Sequence, residues 1–321
     1  MVNIGVDLGG TNIAAGVVDF SNRIIYKASV PTNAAGGADG ITKDIAGLIA
    51  HLMEKTGLTV NDIATVGVAV PGTADPLDGE VVYTANLPFL HYDIASELRK
   101  YIPFNNILTE NDANAAALAE AMAGSAKGTK DSITITLGTG IGGGIIIDGK
   151  ILHGCNYAGG EVGHITIAGG TRQCSCGRRG CWEAYASATG LIATTKEYMQ
   201  RNISSVLWDI VERDLSKVDG RTAWTGADMG DPTAIAILDE YIFQLADGII
   251  SMINIFQPQV LAIGGGISGQ GDKLLQPVKA IVDQLQFARN SSVQTKLCIA
   301  SMGNDAGIVG AAALGMQSAV K

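Results

Sequence analysis

Leu8-Gly9-Gly10-Thr11, running on to Val17-Val18-Asp19, has a counterpart in Leu137-Gly138-Thr139-Gly140, running on to Ile146-Ile147-Asp148. Both stretches span twelve residues, and each follows an apolar run, residues 3–7 in one case and 132–136 in the other. Apolar run, glycine-rich tip and apolar return ending in Asp is the pattern of a β-hairpin. A hairpin used twice predicts a duplicated domain, each half opening with the same strand pair. Only the leucine, the first glycine and the aspartate are identical between the copies, so chance similarity is the competing reading.

Outward from the hairpins, residues 39–55 place Ile41, Ile45, Leu48, Ile49 and Leu52 at helical spacing, and 64–70 read as a buried strand ending at Pro71-Gly72. Residues 105–109 form a turn entering a strand, and 113–123 a helix. Further helices are expected at 187–200, 204–214, 231–256, 272–286 and 306–319, with strands at 259–263 and 295–300. Strands alternating with helices indicate an α/β fold. A chain of 321 residues exceeds what one core usually serves, so two domains and a cleft between them are expected. No low-complexity linker separates them. Motif logic puts the boundary near Ala113, giving an N-terminal lobe of 1–113 plus 306–321 and a C-terminal lobe of 114–305.

Apolar residues make up 47% and charged residues 17%, which excludes a largely disordered chain. The net charge of −9 argues against general nucleic-acid binding and means that any polyphosphate must be held by local backbone N–H groups, a metal ion or a few placed cations. The N-terminus enters a strand without the pattern of a signal peptide, and the most apolar window, 133–147, is interrupted by glycines. A cytoplasmic protein without a membrane span is expected. Five cysteines, three of them between 174 and 181, do not resemble a disulfide framework.

Three groups of residues carry chemistry. Asp7-Leu8-Gly9-Gly10-Thr11-Asn12 offers successive backbone N–H groups in a tight turn, an anion nest for phosphates. Asp7 then suits a Mg²⁺ ion reached through water, or else it satisfies its own turn. The tip Gly138-Thr139-Gly140 would be a second nest, and Gly264-Gly265-Gly266 either admits a flat ring or makes a plain strand-to-helix turn. In Glu110-Asn111-Asp112-Ala113-Asn114, Asp112 stands at the mouth of a helix, as a catalytic base or as the N-cap. Cys174-x-Cys176-x4-Cys181 with His164 supplies four tetrahedral zinc ligands and leaves no position for water, which describes a structural site; a redox or incidental cysteine cluster is the alternative. Glu161, His164 and Glu183 lie beside it, as acceptors for vicinal hydroxyls or as solvated side chains.

Together Asp7-x-Gly9-Gly10-Thr11, Glu110-Asn111-Asp112-Ala113-Asn114, Gly160-Glu161-x-Gly163-His164 and Cys174-x-Cys176-Gly177-x2-Gly180-Cys181-x-Glu183 resemble the ROK family (repressors, open reading frames and sugar kinases), and its bacterial glucokinases most closely. The resemblance runs over essentially the whole chain. It implies the duplicated actin-like, ribonuclease-H-like ATPase fold, two lobes with a central cleft, and ATP-dependent phosphorylation of a hexose at its 6-hydroxyl, most often glucose. Asp112 would be the base, with Gly72, Asn86, Asn111, Glu161, His164 and Glu183 holding the sugar. Asp7, Gly9, Gly10, Thr11, Asn12, Thr139 and Gly140 would meet the phosphates and Mg²⁺, and Gly265 the adenosine. His164 would bind structural Zn²⁺ through one ring nitrogen and the sugar through the other. A kinase of N-acetylmannosamine, fructose or allose, and a non-catalytic sugar sensor, are the alternatives; polyphosphate could occupy the same nests as ATP. The family's repressors carry an N-terminal winged-helix segment, and here a strand begins at once, so no nucleic-acid partner is expected. Apolar helices in the second half suggest a homodimer. Cys155 and Cys298 are expected to be ordinary buried thiols.

Overall fold

The first apolar run becomes β1 (Val2–Leu8) and returns as β2 (Asn12–Val18), antiparallel and in register from Asn3↔Val18 to Leu8↔Ile13. The computed structural model describes residues 1–167 and 169–317. Ala168 of the metal-loop segment and residues 318–319 of the expected last helix lie outside them. A third strand, β3 (Ile24–Pro31), extends the hairpin, while β4 (Ile63–Val70) and β8 (Ile107–Asn111) add parallel strands on the other side of β1. The sheet order is β3-β2-β1-β4-β8. Between β4 and β8 the chain makes a small antiparallel sheet of β5 (Thr73–Asp75), β6 (Glu80–Tyr83) and β7 (Leu90–Asp93).

The second hairpin is β9 (Ser132–Leu137) and β10 (Ile141–Ile147), again with three residues between the strands. With β11 (Lys150–Ile151), β12 (Val260–Gly264) and β13 (Lys296–Ile299) it forms a sheet of order β11-β10-β9-β12-β13. Each sheet thus runs third, second, first, fourth, fifth strand. In each, the third strand is antiparallel to the second and the last two are parallel. The repeated order settles the duplication that three identical residues left open.

The chain packs into two compact units. One contains Met1–Thr134, Gly144–Gly160 and the segment from Ala300 onward; the other contains Ile135–Gly143 and Glu161–Ile299. The lobes expected from the motifs, 1–113 with 306–321 and 114–305, cut the chain at other points. The helix Asp112–Met122 shows the difference, because it packs in the first unit, against the C-terminal helix Ala306–Gln317.

In the first unit, alternate residues of β1 and β4 serve two faces. Ile4, Val6, Val66 and Val68 enter a core shared with Ile41, Ile45, Ile49 and Leu52 of the helix Gly37–Thr56. Gly5 and Gly67 face the C-terminal helix, and it approaches so closely that a Cβ on either would collide with the backbone carbonyl of Ile308 or Ala311. The expected helix at 204–214 is reduced to Leu207–Ile210. Glu212 and Arg213 turn left-handed after it, and the Asp214 carboxylate binds the N–H of Ser216, a local bond that competes with helix. Cys155 is exposed and Cys298 half-buried, so neither is the fully buried thiol expected; Cys155 lies in a surface loop between the left-handed residues Gly154 and Tyr157.

Gly67→Ala should therefore lower the unfolding free energy by about 1–3 kcal/mol in urea titration, because the helix has to move off the sheet. Gly47→Ala is the control. It is an exposed helical glycine with open space around its Cβ position, and the substitution should stabilise by about 0.5–1 kcal/mol.

Candidate active site

The strand β8 ends at Asn111, paired with Val70, and the helix begins at the next residue. Asn111, not Asp112, is the N-cap. Its Oδ1 accepts the backbone N–H groups of Ala113 at 2.9 Å and Asn114 at 3.0 Å. Its Nδ2 donates to the Gly72 carbonyl at 2.8 Å and to Asp112 Oδ1 at 3.1 Å. Asp112 occupies the first helical position and accepts the Ala113 N–H at 2.8 Å. The capping role that was the alternative reading of Asp112 thus falls mainly to its neighbour, since the residue before the first helical turn is the one whose side chain can fold back onto the N–H groups. Asp112 is half-buried and set in place by the cap, at a helix end whose partial positive charge favours a carboxylate.

Gly72 follows β4 with φ 88° and lies against the Tyr83 carbonyl, so the turn that receives Asn111 has no room for a side chain. Asn86 is exposed on the loop between β6 and β7, which the Thr84 hydroxyl closes by donating to the Leu87 carbonyl at 2.6 Å.

At the first hairpin tip the Gly9 N–H donates to the Asn12 carbonyl at 2.9 Å, which closes the turn and leaves Gly10 and Thr11 as its exposed tip. The Thr32 hydroxyl holds the Gly9 carbonyl at 2.7 Å. Asp7, at the end of β1, lies against Gly307 in the first turn of the C-terminal helix, where any side chain would strike its carboxylate. Burial pushes the Asp7 carboxyl above its ordinary range, as for an anion short of a counter-charge.

The second tip is fastened within its own unit. The Gly138 carbonyl accepts the Ala188 N–H at 2.9 Å, and the Thr139 carbonyl accepts the Thr189 hydroxyl at 2.8 Å. Glu183 Oε2 accepts the Ile141 N–H at 3.0 Å and fills the space where a Cβ on Gly140 would be. Thr139 is left exposed at the tip. Gly265 lies against Leu137, the last residue of β9, so the close backbone approach it permits is to the root of this hairpin.

His164, Cys174, Cys176 and Cys181 bring one ligand atom each to within 4.8 Å of one another. The Sγ atoms of Cys176 and Cys181 are 3.6 Å apart, and Cys174 Sγ is 3.7 Å from His164 Nδ1. Those separations match the edges of a tetrahedron with metal–ligand bonds of roughly 2.0–2.3 Å. Because Nδ1 faces the thiols, Nε2 is left for another partner. Glu183 Oε1 is 3.4 Å from Ser175 Oγ, beside the cluster. The loop is anchored by Trp182, fully buried in a slot that Gly248 leaves open, with its Nε1 donating to the Gln244 carbonyl at 2.9 Å. Arg172, above the Tyr185 ring at 4.7 Å and bonded to the carbonyls of Ala184 and Gly190, ties the loop's other end; neither it nor Tyr185 was among the expected residues. Glu161 is exposed, one residue before the short turn Val162–His164.

Comparison with known proteins bears on what such residues serve. The family model described as "ROK family" matches residues 3–318. A glucokinase of Halalkalibacterium halodurans is 34% identical over 309 residues, covering 96% of this chain and 92% of the relative. A glucokinase of Thermotoga maritima is 34% identical over 313 residues, covering 97% and 96%. The crystal structure of a ROK family glucokinase from Streptomyces griseus in complex with glucose and AMPPNP superposes with a TM-score of 0.83 at 32% identity, covering 99% of this chain and 100% of that one. The duplicated sheets are accordingly those of the actin-like, ribonuclease-H-like ATPase fold.

Asn111→Ala removes two cap bonds and the tie to Gly72, and should destabilise by about 1–2 kcal/mol in chemical unfolding. Asn111→Asp, which keeps the cap acceptor, should recover most of that loss.

Proposed function

The chain belongs to the ROK family, and from that premise we propose that it is an ATP-dependent hexose kinase acting on the 6-hydroxyl, with glucose as its substrate. The observation that carries the reading is the Asn111–Asp112 turn, in which an amide bonded at both ends holds a half-buried carboxylate at a helix mouth. Phosphoryl transfer passes through a loose transition state, so its base has mainly to orient the attacking hydroxyl and take the proton late. Asp112 is that base. Asn111, Gly72 and Asn86, together with Glu161, His164 and Glu183, hold the remaining hydroxyls. Glu183 has one oxygen committed to the Ile141 N–H, so it offers the sugar only the other.

Gly10, Thr11 and Asn12 of the first tip and Thr139 and Gly140 of the second take the phosphates, with Gly9 closing its turn, and Gly265, which lies against the root of the second hairpin, is the residue proposed to meet the adenosine. Mg²⁺, when bound with the nucleotide, neutralises charge on the transferring phosphoryl group, and Asp7 is the residue to hold its water shell. The four-ligand cluster fits Zn²⁺ as a structural ion; His164 then presents Nε2 to the sugar from an anchored ring. Among the described residues no helix is long and apolar enough to cross a membrane.

A coupled ADP-release assay over glucose, fructose, allose, N-acetylmannosamine and N-acetylglucosamine tests the reading. The highest kcat/KM is expected with glucose, and no sugar-dependent ADP release anywhere in the panel would remove the kinase assignment. Asp112→Asn should lower kcat by about 10²- to 10⁴-fold while glucose binding, followed by calorimetry, is retained. Elemental analysis should find stoichiometric zinc, reduced in Cys176→Ser together with a raised KM for glucose; zinc-free wild-type protein would end the metal assignment.

A further inference from the structure

Directly before the cap residue stands Glu110, whose side chain is only 2% exposed. Its Oε1 accepts the backbone N–H of Asn111 at 2.9 Å and the side-chain amide of Asn114 at 3.0 Å. One carboxylate oxygen therefore grips the chain on both sides of Asp112. The other oxygen, Oε2, lies 2.7 Å from His153 Nε2. All four residues belong to the first unit, and neither Glu110 nor His153 is among the sugar, phosphate or metal groups assigned above.

Resting on the kinase reading, we propose that His153, in its protonated form, is a positioning residue for the catalytic turn and acts through Glu110. A carboxylate withdrawn from water needs a counter-charge, and removing one partner of such a pair leaves a buried charge uncompensated. The imidazolium supplies that charge from the surface side, its own side chain being 30% exposed. While it does so, Glu110 keeps one orientation and both of its bonds to the turn. Without it, the bonds that set the Asn111 N–H and the Asn114 amide loosen, and Asp112 moves with them. Small misplacements of a catalytic group cost rate more than affinity.

The groups facing His153 are Glu110 from β8, Asp75 from β5, and the Tyr157 ring, edge-on at 6.4 Å between centroids. The hydrogen bond His153 donates to Glu110, with the charges of Glu110 and Asp75, outweighs the effect of burial and raises the His153 pKa above its ordinary 6.5. A histidine raised on folding contributes stability that is fully present below the unfolded value and is lost as pH rises through the folded one. The turn should therefore be best held at neutral and mildly acid pH and loosen on the alkaline side.

The experiment measures kcat and KM for glucose between about pH 6 and pH 9 in wild type, His153→Gln and the double variant Glu110→Gln with His153→Gln, alongside thermal unfolding over the same range. Wild-type kcat should fall on the alkaline side. His153→Gln, which keeps an N–H donor and loses the charge, should lower kcat about tenfold at neutral pH with KM little changed, and its profile should lack that alkaline fall. The double variant retains an amide–amide hydrogen bond without any buried charge and should recover most of the lost kcat. A His153→Gln enzyme with wild-type kcat and a wild-type alkaline limb would overturn the proposal. An inactive wild type would instead defeat the kinase reading. The pairing would then be judged by unfolding alone, and a stability difference from His153→Gln that does not change with pH would overturn it.

Discussion

The backbone of the C-terminal helix rests directly on the backbone of β1 and β4, and the arrangement of the first unit depends on that contact. Gly5 and Gly67 remove the two Cβ atoms that would hold the helix away, and Gly310 lets the carbonyl of Ala115 approach from the helix Asp112–Met122. Two carboxylates of the proposed site, Asp7 and Asp112, are placed by this one layer. Asp7, near the end of β1, lies against Gly307 in the first turn of the C-terminal helix, while Asp112 begins the helix packed beside it. Fully buried Glu120 ties the far end of the Asp112 helix into the same layer, accepting the Met302 N–H at 2.7 Å and the Ser125 N–H and hydroxyl at 2.6 and 2.7 Å. A site on rigid elements packed at backbone distance holds its geometry better than one carried on loops.

The second unit solves a similar problem by different means. Its chemistry-bearing residues sit on a loop, and loops need fastening from outside. Trp182 in its slot beside Gly248, Arg172 over Tyr185 and the four-ligand cluster each pin one part of that loop. Glu183 then joins the loop to the second hairpin through the Ile141 N–H. The cysteine loop and the second hairpin tip are thereby held to each other.

Much of this was legible in the sequence because it is written in local patterns. The twelve-residue hairpin, the apolar spacing of the helix Gly37–Thr56, and the cysteine spacing each declare themselves within a short window. What escaped was set by tertiary partners. The strand β3 alternates half-buried and exposed residues along its length, a readable signal, but the short strands β5 to β7 have too few residues to show a period. The division of labour between Asn111 and Asp112 could not be assigned from two adjacent polar residues, since either can cap a helix. The Glu110–His153 pair joins residues 43 positions apart, and no short motif records it. Nothing in the local sequence marks Gly5 and Gly67 of β1 and β4; only the helix lying on them explains why a side chain is excluded.

In the proposed reaction, a base at the mouth of the Asp112 helix delivers the 6-hydroxyl, and no other, to the phosphoryl group. Incubating the wild-type protein with ATP, Mg²⁺ and glucose labelled with ¹³C at carbon 6 tests it directly by ³¹P NMR. The expected result is a new phosphomonoester signal split by coupling to that carbon, growing in step with ADP. A phosphosugar signal without that coupling, or ADP appearing with inorganic phosphate and no phosphosugar, would contradict it.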